Sequence, residues 1–407
     1  MRMWVYIIRR CGLLIPVLVG VLTILFAMEA GLPIQDRLAS QFGVRPHSSQ
    51  SHPYDPTVPC SWLGIDQPGN CTNPEYVTNV AALGLNKPIP VQWALFMYNG
   101  LTFNWGVTGV YSTAVQTVPL PADAPVSQVL GWYLPYTLEL AALAILFTLL
   151  LSFRLGTIAA VERDRPTDHA IRVYTFSFYA IPGFLLGLLV LLAATALAGG
   201  FVTTTCHGYS DAFQMFYGSW PVPQCLPGSP SALPSFIQPW QNTLPTGFPT
   251  LDAALYGGST GWYLAADSVL RLILPALVIA AGTVAFIARF VRNSVLENIN
   301  EDYARAARAK GVAESEVIRR HVGRNSLMVS ITVLGLTFAG FIAGFPVIEY
   351  LFGIEGVGRI FAYSIKPPLL DYGLIFGTTL LFTFLVVFAN LIVDVLYAFL
   401  DPRVRLG

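Results

Sequence analysis

Three carboxylates, Glu139, Glu349 and Asp394, stand in or beside long apolar runs, and the stretch from Arg289 to Arg324 gathers eight of the 23 lysines and arginines. An aspartate, lysine or arginine at the centre of a membrane helix costs about 2.5–3.5 kcal/mol on insertion scales, so ionisable groups in spans face protein or water. The functional reading of these carboxylates is a translocation pathway or gate. The structural reading gives Asp394 a partner such as Asn390, one turn earlier, and leaves Glu349 as a solvated helix end. Other chemistry is missing. There is no HExxH, no GxSxG and no close pair of aspartates within the spans, so an intramembrane enzyme has little support. None of the three lysines, Lys87, Lys310 and Lys366, follows a glycine, which rules out a GxxxxGK[ST] phosphate loop. The glycines of GIEGVG (Gly353, Gly356, Gly358) do not complete a dinucleotide fingerprint. This chain is expected to bind no cofactor, and any ATP and magnesium chemistry belongs to another subunit.

The elements that position these groups are apolar helices. At 54% hydrophobic and 11% charged, with mean hydropathy +0.59, the chain is too apolar for an ordinary soluble fold. A net charge of zero and the absence of a basic stripe interleaved with aromatics argue against nucleic acid as a partner. Six segments are long enough to cross about 30 Å of hydrocarbon as helices: 10–29, 132–153, 173–199, 269–290, 325–348 and 372–399. The lysine and arginine bias sets their direction. With both termini in the cytoplasm, 17 basic residues lie inside and six outside or at the outer rim. The core of the first segment, Cys11 to Met28, is longer than a signal-peptide core and lacks an A-x-A site, so an uncleaved helix is expected. Pro182 beside Gly183 can kink the third span. The GxxxG spacings Gly183/Gly187 and Gly340/Gly344 mark close helix packing.

The expected organisation is an amino-terminal tail and first span (1–29), an extracytoplasmic segment (30–131) and a five-helix core (132–407). The core carries a cytoplasmic loop at 291–325 and an extracytoplasmic insertion at 200–267. The first outer segment mixes turn clusters with helix-like pieces near 91–103. The second is rich in proline and contains no lysine or arginine, which suits loops and short helices. Its aromatic residues, among them Trp220, Trp240, Tyr256, Trp262 and Tyr263, could stack on sugar rings or pack a small cap. Cys60, Cys71, Cys206 and Cys225 fall on the oxidising side, an even set consistent with bridges 60–71 and 206–225. Free thiols and cross-pairing are the alternatives.

The basic loop reads as a helix-turn-helix. Asn300 can cap a helix whose first turn holds Glu301 and Asp302, and Ala304, Ala306, Ala307 and Ala309 keep it slim. Arg305, Arg308 and Lys310 make its end basic, Gly311 stops it, and a second helix follows over about Ala313–His321. A slim basic helix suits insertion into a partner's groove. A solvated loop that only satisfies the charge bias is the alternative.

RAARAKG at Arg305–Gly311, followed by SEVIRRHVGRNSL, resembles the loop that couples permeases to ATPases in ABC importers of the dipeptide/oligopeptide/nickel family. Arg305 stands where the general pattern has Glu. LGLNKPIPVQW (Leu83–Trp93), FNWGVTG, LPYTLELA (Leu134–Ala141), VIEYLFGIEGVGRIF (Val347–Phe361) and NLIVDVLYAFLDPRVR (Asn390–Arg405) resemble the same family in the same order. The likeness lapses around 40–80 and 200–265. It implies an all-α permease of the type I kind, with six transmembrane helices and two enlarged extracytoplasmic segments, in the cytoplasmic membrane. Arg305, Ala306, Ala307, Arg308, Lys310 and Gly311 then form the site that meets the ATPase. The implied partners are a second homologous permease, two ATPase subunits, an extracytoplasmic solute-binding protein and membrane lipid. The implied substrates are peptides, with oligosaccharides or nickel as alternatives.

Overall fold

The computed structural model describes residues 3–34, 37–38, 74–108, 124–197, 248–256, 261–323, 325–326, 331, 333, 335, 345–365 and 370–400. The chain divides into two compact units. One comprises Met1–Ile8, Pro135–Arg359 and Phe388–Gly407, the other Arg9–Leu134 and Ile360–Val387. Cys60, Cys71, Cys206, Cys225, Trp220, Trp240, Gly340 and Gly344 lie outside the described residues.

The helices are α1 (Met3–Ala30), α2 (Pro74–Ala82), α3 (Ile89–Leu101), α4 (Val126–Val161), α5 (Pro166–Ala180), α6 (Gly183–Leu197), α7 (Pro249–Tyr256), α8 (Gly261–Asn298), α9 (Asp302–Ala309), α10 (Glu314–Glu316), α11 (Val357–Ser364) and α12 (Tyr372–Leu400). Among the described residues α1, α4, α8 and α12 are long and apolar enough to cross a membrane, and α5 with α6 makes a fifth if the bent pair is one span. The expected fifth span, 325–348, falls largely outside the described residues. Its described positions, 325, 326, 331, 333, 335 and 345–348, are all helical.

Two expectations change. The third span is not a rod over 173–199: its helix begins at Pro166 and turns through 108° between α5 and α6. Pro182 disfavours helical geometry at Ile181, which is extended (φ −81°, ψ 123°), and has no N–H to continue the ladder. The helix that carries the fourth span, 269–290, also outruns it: at 38 residues α8 runs about 57 Å, nearly twice the hydrocarbon thickness, so 291–298 extend the helix past the apolar stretch into the loop.

In the second unit, α1 and α3 pack closely. The Trp93 indole N–H donates to Thr23 Oγ1 (3.0 Å), Phe26 meets Phe96 at 5.7 Å, and a Cβ on Gly100 would touch Leu22 at 3.4 Å. Trp105 is buried, donates to the Gly100 carbonyl (3.0 Å) and stacks on Phe384 of α12. A short bridge between Val107 and Pro125 sets the start of α4. There Gly377 of α12 lies so close that a Cβ would meet Val126 at 2.2 Å.

In the first unit, glycines again fix the helix crossings. A Cβ on Gly156 of α4 would meet Val291 at 2.6 Å and the Ala288 carbonyl at 2.7 Å, so α4 and α8 touch backbone to side chain. Gly187 of α6 faces Ile348, Leu351 and Val278, whereas nothing lies within 4 Å of a Cβ on Gly183. Only the second glycine of that GxxxG pair is a packing position.

Candidate functional site

The slim basic helix is α9. Its N-cap is Glu301, without a side-chain capping bond, and not Asn300. Asn300 instead donates to the Leu296 carbonyl (3.1 Å), where it ends α8. Gly311 has φ +78°. Its N–H donates to the Arg308 carbonyl (2.9 Å) and that of Val312 to the Ala307 carbonyl (3.3 Å). This is the paired-bond ending that a left-handed residue makes possible. A Cβ on Gly311 would meet nothing within 4 Å, so backbone conformation, not space, calls for glycine here.

The two faces of α9 differ. Ala304 and Ala307 are buried against the chain that follows, where α10 leads into a π-helical turn, Val317–Val322, with Val317 and Val322 wholly buried. The second helix over Ala313–His321 is thus three α-helical residues and a wide turn. Arg305, Ala306, Lys310 and Gly311 are exposed. Arg308 is half-buried and braces the turn: Nε and Nη2 hold Glu314 at 2.8 Å each, and Nη1 donates to the Ile299 carbonyl (3.0 Å). These bonds hold the Glu314 carboxyl below its ordinary value and raise the Arg308 guanidinium. Of the six residues expected to meet a partner, four are presented outward; Ala307 packs inward and Arg308 shapes the hairpin. Tyr303 O–H donates to Asn298 Oδ1 (2.7 Å), which ties α9 to the end of α8.

The carboxylates prominent in the sequence fare differently. Glu139 of α4 accepts from Thr250 N–H (3.0 Å) and Thr250 Oγ1 (2.8 Å), and so caps the first turn of α7. Glu349 is not a solvated helix end but has no exposed surface. Its Oε2 accepts from the N–H groups of Gly358 (2.7 Å) and Arg359 (3.1 Å), and its Oε1 accepts from Thr137 (2.8 Å). Thr137 Oγ1 in turn accepts from Val357 N–H (2.9 Å). Thr137, 220 residues away, and Glu349, just before α11, thus satisfy its first three N–H groups. Two of the GIEGVG glycines answer to close approach, since a Cβ on Gly356 would strike Glu349 Oε2 at 2.2 Å and one on Gly358 would strike Pro346 Cα at 2.5 Å, while Gly353 has φ +67°. Asp394 lies on α12, with its side chain outside the described residues.

Sequence reasoning passed over a fourth cluster. Asp168 of α5 is completely buried and accepts paired bonds from Arg172 (3.1 and 2.5 Å) and from Arg292 of α8 (3.0 and 2.9 Å). The i, i+4 spacing of Asp168 and Arg172 behind Pro166 was the available signal. One turn along α8, Arg289 lies over the rings of Tyr179 (4.7 Å), Phe176 and Phe286 (both 5.8 Å), which offsets part of the cost of a cation within an apolar helix.

Long apolar helices, with an exposed basic helix projecting between two of them, define a multi-pass α-helical membrane protein. Among the described residues no group of His, Cys, Asp and Glu could hold a metal ion. The chain belongs to the family of binding-protein-dependent transport system inner membrane components, whose model matches residues 152–406. It is similar to a probable D,D-dipeptide transport system permease protein of Escherichia coli K12, at 33% identity over 80% of this chain and 83% of that protein. It is also similar to a di/tripeptide transport system permease protein of Pseudomonas aeruginosa, at 30% identity over 98% of each chain. An oligopeptide transport system permease protein of Bacillus subtilis 168 shares 28% identity over 98% of this chain and 99% of its own. These are transport permeases, not enzymes.

Proposed function

We infer that this chain is a permease subunit of an ATP-driven importer that carries peptides across the cytoplasmic membrane by alternating access. One observation carries the substrate class. The likeness to permeases named for dipeptides, di/tripeptides and oligopeptides covers 98% of this chain. The helix α9, with Arg305, Ala306, Lys310 and Gly311 outward, supports the coupling role. A slim helix with a basic end fits a groove on a separate ATPase, and Ala304 and Ala307 fix its other side to the permease.

In this account both termini and the loop 299–325 lie in the cytoplasm. Two ATPase subunits, carrying ATP and magnesium, close and displace α9. This chain, paired with a second homologous permease, moves between outward and inward openings as near-rigid bodies. A solute-binding protein delivers peptide to the extracytoplasmic side. The permease contributes differential affinity between two states, not bond chemistry.

The test is uptake of a labelled di- or tripeptide by cells lacking this chain, with and without its return. Restored uptake of peptide supports the assignment. Restored uptake of an oligosaccharide or nickel, with peptide uptake unchanged, contradicts the substrate class.

A further inference from the structure

Asp168 has no task in the function so far described, yet its surroundings are unusual. Its carboxylate accepts from three donors: Arg172 from its own helix, the backbone N–H of Asp164 (3.0 Å), and Arg292, 124 residues away on α8. A carboxylate needs only a local donor to hold the start of its helix, and the Asp164 N–H already provides one. The bidentate grip of a second helix goes beyond that. Arg292 lies on the last turns of α8, six residues before Asn298, the residue that anchors Tyr303 of α9. On the other side, Asp168 stands in the first turn of α5, the helix that leads to the 108° break at Ile181 and Pro182. Just beside it, Val291 and Ala288 meet Gly156 of α4 without room for another atom, so α8 cannot slide there freely.

The geometry points to Asp168 as a positioning residue of the transport cycle: through Arg292 it ties the cytoplasmic end of α8 to α5, so that a displacement received at α9 is delivered to the bent third span. This rests on α9 being the contact with the ATPase. Two planar, fixed-geometry pairs on one carboxylate resist rotation as well as separation, which a single bond does not. The path is Tyr303 to Asn298, along one turn and a half of α8 to Arg292, then across to Asp168 and up α5.

The assembled transporter with its partner subunits, in lipid nanodiscs, provides the test. Asp168→Asn keeps size and shape but loses the charge-assisted bonds. Peptide taken up per ATP hydrolysed should fall about two- to thirtyfold, the span found for residues that link distant sites, while hydrolysis continues. Spin labels at the exposed positions Val173 on α5 and Glu301 at α9, with the native cysteines replaced, supply a reading that a merely structural staple would leave unmoved. In the unaltered chain their separation should be the same in the nucleotide-free and vanadate-trapped states. In Asp168→Asn it should differ between the two states. Wild-type uptake per ATP together with an unchanged separation in both states overturns the inference. If Asp168→Asn does not assemble, Arg292→Lys, which keeps the charge but loses the fork, is judged by the same two outcomes. A cysteine at Ala306 that cross-links to the ATPase in both chains keeps the underlying assignment standing whichever way the Asp168 result falls. Absence of that cross-link in the unaltered chain overturns the assignment and this inference with it.

Discussion

Valine in place of Gly311 probes the conformation of the α9 ending. An added Cβ meets nothing within 4 Å, so the main cost is the backbone at φ +78°. An L-residue held left-handed costs about 1–2 kcal/mol, and a β-branched one sits at the upper end. The opposing brace is the Arg308–Glu314 pair, in which Glu314 is 54% exposed. Screened by solvent, such a pair contributes about 0.3–1 kcal/mol, so the strain outweighs it. The turn is then disfavoured by about 5- to 30-fold relative to the unaltered chain. Because α9 is a short hairpin on long apolar helices, insertion and total folding should be spared while the outward face of Arg305, Ala306 and Lys310 is lost. The assay is labelled-peptide uptake set against ATP hydrolysis in proteoliposomes, with membrane abundance as the control. Gly311→Val should uncouple the two. Gly311→Asn, which tolerates the left-handed region, should keep most of the transport. Normal uptake by Gly311→Val would refute the reasoning.

Glu349→Gln should lower the thermal stability of the detergent-solubilised chain by about 1–3 kcal/mol, because the amide can replace only one of the two carboxyl oxygens that accept from α11 and Thr137; an unchanged melting curve would contradict the cap. Gly187→Leu should disrupt assembly by overpacking against Ile348 and Leu351, while Gly183→Ala should be neutral or slightly stabilising; equal effects would show that the crossing is misplaced. The Glu314 carboxyl is held below its ordinary value of 4.5 in the folded chain. Its pairing with Arg308 therefore adds stability above pH 4.5, lost only as pH falls through the lowered value. A fluorophore pair across the α9–α10 turn should report constant distance from pH 8 to about pH 5 and separation only under stronger acid. Thr250→Val should loosen α7 from Glu139, seen as faster proteolysis near Pro249.

What the sequence made legible was mainly what repeats or punctuates. Long apolar runs gave α1, α4, α8 and α12, because a span needs length and hydrophobicity and little else. Gly311 announced the end of α9, since only the left-handed region closes that turn. Pro182 announced a kink but not its 108°, because the angle depends on what the two arms pack against. The carboxylates were harder. Glu349 after the fifth span looked solvated, and the partner of its Oε1 is Thr137, 212 residues away, a contact no local pattern encodes. Asp168 was hidden in a loop read only for positive charge, although its partners Arg172 and Arg292 were counted among the basic residues. Asn300 was the better capping residue by type, yet its side chain turns back to Leu296, and Glu301 takes the cap position through backbone geometry alone.

The central claim is that α9 receives force from a nucleotide-hydrolysing neighbour on the cytoplasmic side. A cysteine at Ala306, exposed on the outward face, tests it in the assembled transporter with one measurement: cross-linking to the ATPase subunit in sealed membranes. The account predicts a cross-link formed in good yield and no modification by an impermeant thiol reagent added outside intact cells. Modification from outside, with no cross-link to the ATPase, would contradict it.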